Sequence, residues 1–415
     1  MTLYQRQQKR KAYYIPLCVK GNISERQCAE ILNVAPVSIY RMKKRYKIKG
    51  FDAFTNGHKY LKYHKKYNDS FCKKIISIYN SAWQNSPFTT FYNALKEYYS
   101  ITIPYNTLRR IMHKSGIKPP RTWNAKEKFL HKRRKERQHA GELVQMDAST
   151  HDWLMNGTKI ALHGGIDDAT HTVTGLYFCR NECRLGYNEV LRQTWTKYGI
   201  PQAYYIDRHS SFVISGTKKD HTFTERIEKS KTERTHFIDL CNELNIEIIL
   251  ALSAQGKGRI ERLWQTLQGK LPFIFRFLHI DTIDKANSYI AEWIQEFNEK
   301  YSIKAESIKS CFKPIPKGYD LNYKLSVKFN CRTDYQGYFS FHDCDFILNA
   351  PYKACKRFEL CLSEQDGVVA YMHNEWYSVS LAQDYLQDLA QDKMPQVEKD
   401  LIGRYLLNNI HTDYA

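Results

Sequence analysis

QMDAS, residues 145–149, ends an apolar run of Leu143, Val144 and Met146 on a single carboxylate, Asp147. Runs of that length and composition read as buried strands, so the carboxylate is expected at a strand end. Working outward, YYIDRHSSF (residues 204–212) repeats the pattern: Ala203 to Ile206 are apolar and Asp207 closes them. A third stretch, GKGRIERLWQTLQ (residues 256–268), differs in kind. Its glycines stop a strand, and Ile260, Leu263, Trp264, Leu267 and Leu271 then recur at helical spacing, with Glu261, Gln265 and Gln268 flanking that stripe. Three acids gathered on strand ends and a helix face repel one another. Hard divalent cations with oxygen ligands are the natural compensation.

The spacings, 60 residues from Asp147 to Asp207 and 54 on to Glu261, leave room for a hairpin system and a helix before the second carboxylate. With QMDASTHDWL (145–154), HGGIDDATHTVTGLYF (163–178), YGIPQAYYIDRHSSF (198–212), LALSAQGKGRIERLWQTLQGKLP (250–272) and the later FNEKY (297–301) in this order, the segment 142–302 resembles the catalytic core of DDE-type insertion-sequence transposases and retroviral-type integrases. The resemblance implies an α/β RNase H-like core with a mixed sheet. It also implies Asp147, Asp207 and Glu261 as catalytic metal ligands. Two Mg²⁺ ions per site, with Mn²⁺ able to substitute, would serve metal-dependent 3′-end cleavage and strand transfer in DNA integration and recombination.

Two features depart from the commonest family pattern. Arg208 to Ser211 follow the second Asp where a small pair is usual, and the second gap is long. The surplus falls in residues 215–233, a polar, charged stretch without period, as an inserted surface loop would be. Asp152, Asp167 and Asp168 compete by position with Asp147, and Glu243 and Glu247 with Glu261; each also reads as a turn, cap or solvated acid. His151 and His209 are more ordinary as surface residues than as ligands.

Charge is uneven. Residues 1–140 carry 31 Lys and Arg against 7 Asp and Glu, although the whole chain of 415 residues has a net charge of only +20. A surface so polarised fits a long polyanion such as double-stranded DNA, because each phosphate neutralised releases counterions. Within GNISERQCAEILNVAPVSIYRMKKRYK (21–47), Ser24 and Gln27 form a capping box, Asn33-Val34 a turn, and Pro36 suits the first position of a second helix. Ile39 and Met42 would pack inward, leaving Ser38, Arg41, Lys44 and Arg45 outward, the arrangement of a helix-turn-helix with its recognition helix in a major groove. An ordinary helical hairpin is the plainer alternative.

PFTTFYNALKEYYSITIPYNTLRRIMHKSGIKPP (87–120) repeats the pattern, with Asn106, Thr107, Arg109 and Arg110 outward. The expected organisation is therefore a helix-turn-helix unit in 1–58, a second, winged one in 59–120, and a basic linker in 121–141 whose Lys132, Arg133 and Arg134 would lie along phosphates. After the core, the alternating runs of 320–385 read as a small β-barrel and 386–415 as a helical tail. The barrel resembles the small C-terminal barrel of integrases, which implies DNA binding or subunit bridging. Arg259 and Arg262, three apart on the helix of Glu261, are candidates to position a phosphate.

No stretch approaches a membrane span or a secretory signal, so no membrane partner and a cytoplasmic, nucleoid-associated location in a bacterium are expected. The 11 cysteines form no CxxC pair. Reduced structural thiols are the default reading. The partners implied by the resemblance are transposon terminal inverted repeats, target DNA and at least one further copy of the chain. A catalytically silent DNA-binding regulator and a structure-specific nuclease on the same core remain as alternatives.

Overall fold

The computed structural model describes residues 3–54, 67–120, 136–207, 236–250, 258–341, 344–351, 356–382 and 396–402. The chain divides into two compact units, Met1–Lys74 and Ile75–Ala415. In the first, helices α1 (Leu3–Val19), α2 (Glu25–Leu32) and α3 (Pro36–Lys49) enclose a small core of Ile15, Cys18, Cys28, Ala29 and Ile39. The sequence signals act as local chemistry says they should. Ser24 Oγ accepts the Gln27 N–H at 3.2 Å while Gln27 Oε1 accepts the Ser24 N–H at 3.0 Å. Asn33 then takes a left-handed φ of 51°, and Pro36 opens α3.

The larger unit begins its core with a five-stranded mixed sheet in the order β3-β2-β1-β4-β5. Its strands are β1 (Val144–His151), β2 (Ile160–Asp167), β3 (Val173–Cys179), β4 (Ala203–Ile206) and β5 (Glu247–Leu250). β1, β2 and β3 are antiparallel neighbours, whereas β4 runs parallel to β1 and β5 parallel to β4. The mixed sheet expected for residues 142–302 is present. Every residue of β2 is buried because both faces are covered. On one face, Val144, Met146, Tyr204 and Ile206 pack with Tyr187, Val190, Leu191 and Trp195 of the Arg184–Lys197 helix. On the other, Leu162, Ile166, Leu176 and Phe178 pack against Ile260, Leu263, Trp264 and Leu267 of the Gly258–Gln268 helix and against the Ile283–Tyr301 helix.

β3 is an edge strand, and an open edge is a template for unwanted pairing. Three side-chain carboxamides occupy it, each imitating a neighbouring peptide. Asn298 accepts the Val173 N–H and donates to the Val173 C=O, both at 2.8 Å. Gln193 does the same for Leu176 at 3.0 and 2.9 Å, and Asn287 for Phe178 at 2.8 and 3.1 Å.

Helices Asp69–Ala82, Phe88–Glu97 and Tyr105–Lys114 precede the core, and residues 67–120 contain no strand, so no wing is seen there. The C-terminal region is a six-stranded antiparallel sheet, β6 (Val327–Arg332), β7 (Tyr338–Phe341), β8 (Cys344–Leu348), β9 (Arg357–Ser363), β10 (Gly367–Met372) and β11 (Glu375–Leu381), in the order β6-β9-β10-β11-β8-β7. It is nearly closed rather than a complete barrel. The edge strands β6 and β7 meet through Phe329 and Phe341, ring centroids 4.7 Å apart, without a hydrogen-bonded ladder between them. Of the tail, the Gln396–Ile402 helix is described, and its Leu401 and Ile402 are fully buried in the core of this sheet together with Leu185. No described helix is long and apolar enough to cross a membrane.

Candidate active site

Asp147 is the fourth of eight residues in β1, not its last. The strand continues through Ala148 to His151 because its polar residues on one face are bonded to a helix, which a reading of apolar runs does not register. Asp207 does stand where expected, directly after Ile206 ends β4. The parallel register pairs Val144 with Tyr204 and Gln145 with Tyr205. Continued for two residues, the same register would set Asp207 beside Asp147, and strand alternation would put both carboxylates on the face that carries Gln145 and Tyr205. Both are half-buried.

The helix bearing Glu261 is laced to that face. Gln145 Oε1 accepts the Ile260 backbone N–H at 3.3 Å, Asp147 Oδ2 accepts the Trp264 indole N–H at 3.1 Å, and Ser149 Oγ accepts from Gln268 Nε2 at 3.1 Å. Steps of two along the strand thus match steps of four along the helix. The match is geometric: two strand residues advance about 6.6 Å and four helical residues about 6 Å. Gly164 lies opposite Asp147 on β2, where a Cβ would come within 2.6 Å of the Trp264 ring. The absence of a side chain there lets the indole lie against the strand. Glu261, one turn before Trp264 and half-exposed, sits at the border of the bonded face.

Gln145, Gly164, Trp264 and Gln268 were not singled out as site residues by sequence. The available signal was the polar alternation Gln145, Asp147, Ser149 facing a helix whose Ile260, Trp264 and Gln268 recur every fourth residue.

The competing acids have other work. Asp167 and Asp168 are fully buried, the first holding the Gly141 N–H at 2.8 Å and the Thr170 N–H at 2.9 Å, the second the Gln145 amide at 2.9 Å and Arg259 Nε at 2.8 Å. Burial pushes the Asp167 carboxyl upward against those bonds. Asp152 accepts the Asn156 and Gly157 N–H groups of a turn, and Glu243 pairs with Lys324. Arg259 turns inward to Asp168, Glu136 and His171, so its guanidinium anchors the start of the helix rather than facing the cleft. Arg262 is exposed.

Tyr187 reports on the carboxylates from behind the sheet. Burial lifts its phenol well above the ordinary range, Glu182 adds to the rise and accepts its O–H at 2.6 Å, and the charges of Asp147 and Asp207 both contribute. Among the described residues no three His, Cys, Asp or Glu side chains converge closely enough to enclose an ion. The donor chemistry nevertheless fits a hard cation: two carboxylates aligned by strand register, with a third on a helix bonded to the first.

Of the outward basic residues, Arg41, Lys44 and Arg45 are exposed and Ser38 is half-buried on α3, where Tyr40 is also 59% exposed. On the Tyr105–Lys114 helix, Asn106, Arg109 and Arg110 are exposed and Thr107 is half-buried, while Leu108, Ile111 and Met112 face inward. Lys132, Arg133, Arg134 and the 215–233 stretch lie outside the described residues.

No family model matches the chain. It is 30% identical over 340 residues to the transposase for insertion sequence IS1202 of Streptococcus pneumoniae, covering 74% of this chain and 69% of that protein. A putative transposase, y4bF, of Sinorhizobium fredii is 33% identical over 224 residues, 53% of this chain and 46% of its own length. Among solved structures, the HTLV-2 integrase catalytic core domain in complex with magnesium aligns over 41% of this chain and 94% of that one, at 14% identity and a TM-score of 0.29. A simian T-cell lymphotropic virus intasome in complex with a PP2A regulatory subunit aligns over 74% and 99%, at 12% identity and a TM-score of 0.30.

Proposed function

The chain belongs to the insertion-sequence transposases, and from that premise we propose that it binds the terminal inverted repeats of its element, cleaves their 3′ ends and joins them to target DNA. The observation that supports this reading is the parallel register of β1 and β4, Val144 opposite Tyr204 and Gln145 opposite Tyr205, which if continued would bring Asp147 and Asp207 side by side on the face to which the Glu261 helix is bonded. Asp147, Asp207 and Glu261 would hold two Mg²⁺ ions, for which Mn²⁺ would substitute. When bound, such ions activate the attacking oxygen and stabilise the leaving one during in-line displacement at phosphorus. The chain's own contribution is positional. The bonds from Ile260, Trp264 and Gln268 fix the helix against β1, and would thereby limit how far the third carboxylate must move to meet the first two.

DNA would be gathered by the exposed faces of α3, through Ser38, Arg41, Lys44 and Arg45, and of the Tyr105–Lys114 helix, through Asn106, Thr107, Arg109 and Arg110. Lys132, Arg133 and Arg134 would add phosphate contacts, with Arg262 close to the cut. Pairing of two ends requires at least a dimer on DNA.

The test is a labelled duplex carrying the terminal repeat, incubated with the protein and Mg²⁺ or Mn²⁺, beside Asp207→Ala and Glu261→Gln. Metal-dependent nicking and joined products that vanish in both variants, while repeat binding persists, are expected. Full activity in either variant would remove the triad. Binding without cleavage by the native chain would favour a silent regulator.

A further inference from the structure

The helices of residues 75–116 belong to the same compact unit as the catalytic core, whereas Met1–Lys74 is a unit of its own. The junction is built, not incidental. Arg276 on the Leu271–Leu278 helix donates from Nε and an Nη to the Ala82 carbonyl at 3.0 and 2.8 Å and to the Gln84 carbonyl at 2.8 Å. These carbonyls lie at and just past the end of the Asp69–Ala82 helix, where no helical N–H remains to satisfy them. Beside this clamp, Phe277 packs against Trp83, Tyr98 and Tyr99 at centroid distances of 5.2, 4.9 and 5.7 Å, with Trp83 fully buried. Thr90 Oγ donates to the Gly269 carbonyl at 2.7 Å.

The core side of this junction is the continuation of the catalytic helix. Only Gly269 and Lys270 separate Gln268, bonded to β1, from the helix that carries Arg276 and Phe277. The outer side carries the Tyr105–Lys114 helix, seated through Leu108, Ile111 and Met112 and braced by the edge-on contact of His113 with Phe88 at 5.8 Å. One continuous packed path therefore runs from Glu261 through Arg276 to the exposed Arg109 and Arg110.

We propose that residues 75–116 act as a ruler: their docking through Arg276 and Phe277 fixes the distance along DNA between the base pairs met by the Tyr105–Lys114 helix and the phosphodiester that is cut. Arg276 is a positioning residue in this scheme and touches no reacting atom. The inference rests on the reading above that the chain cuts DNA, and it adds what selects the bond.

The experiment uses the full chain, Mg²⁺ and repeat duplexes with one to five base pairs inserted between the tip and the segment protected by the 105–114 helix. That segment is identified by the protection lost in Arg109→Ala with Arg110→Ala. The cut should move inward by the number of base pairs inserted, at constant distance from the protected segment. Arg276→Ala should spread cleavage over several neighbouring positions with protection retained, and Arg276→Lys should recover much of the single position. Thr90→Val, which removes one hydrogen bond, gives a milder spread and serves if Arg276→Ala does not fold. A residue that merely stabilises the fold would lower yield without changing the position. Cleavage that stays at the tip whatever is inserted, or a single sharp cut in Arg276→Ala, overturns the ruler alone. A native chain that does not cut the repeat overturns the reaction and the ruler together.

Discussion

The Trp264 indole ties the Gly258–Gln268 helix to β1 at one atom, because its N–H reaches Asp147 while its ring lies against the backbone at Gly164. Trp264→Phe keeps most of the packing and removes the donor; a single hydrogen bond to a charged group is worth roughly 1.5–3 kcal/mol. Half-burial of Asp147 places the expected loss at the low end of that range, measured by urea unfolding. Strand transfer should fall more than repeat binding. Gly164→Ala must displace the indole or Leu176, whose Cδ2 would lie 2.8 Å from the new methyl. Overpacking of this kind costs about 1–3 kcal/mol. A thermal midpoint equal to that of the native chain would show that the ring does not rest there.

At the scale of elements, β6 and β9 hold an informative conflict: Arg332 and Arg357 are directly opposite each other and both exposed. Like charges so placed destabilise an antiparallel pair by roughly 0.2–1 kcal/mol. Tyr323 and Tyr371 line the same cavity as the two arginines, their ring centroids 4.3 Å apart. Arg332→Gln should therefore raise stability slightly while weakening DNA binding and lowering its salt slope by about one. A stabilised variant with unchanged binding would show that this face of the sheet does not contact DNA. The exposed basic face of α3 makes a complementary case. Reversing Arg41 and Lys44 to Glu should reduce repeat binding severalfold and its salt dependence, with the helix intact because Ile39 and the Ser24 cap are untouched. Equal affinity in a salt titration would refute the groove placement.

For the molecule as a whole, the C-terminal sheet meets the core at His236, 3.2 Å from Lys328 on β6. Burial, and then the charges of Lys328, Arg184 and Lys324, push the imidazole down to about 4. Above the ordinary histidine value both folded and unfolded chains hold it neutral. Between about 6.5 and 4 only the unfolded chain takes the proton, so stability falls as pH falls through that window. After discounting for partial exposure the loss is on the order of 1–2 kcal/mol. His236→Gln should flatten that part of the profile in unfolding titrations at pH 7.5 and 5. An unchanged slope would mean that the imidazole is not strained by this junction.

Sequence alone determined the elements whose signals are local. The Ser24 cap, the Asn33 turn and Pro36 set out α2 and α3; the stripe from Ile260 to Leu267 marked the helix of Glu261; and the apolar run before Asp207 marked β4. What sequence could not supply is everything fixed by register and docking. Asp147 lies in mid-strand because Ser149 has a partner 119 residues away. Arg259 faces inward because Asp168, buried on a distant hairpin, needs its charge. The sheet stops short of closing where β6 and β7 meet through aromatic rings, and the helices of residues 75–116 are held by Arg276 from nearly two hundred residues later. Capping and periodicity act over a few residues and leave their mark in neighbouring letters. Hydrogen bonds between distant segments cost chain entropy that only the assembled core repays, so their partners are settled when that core forms.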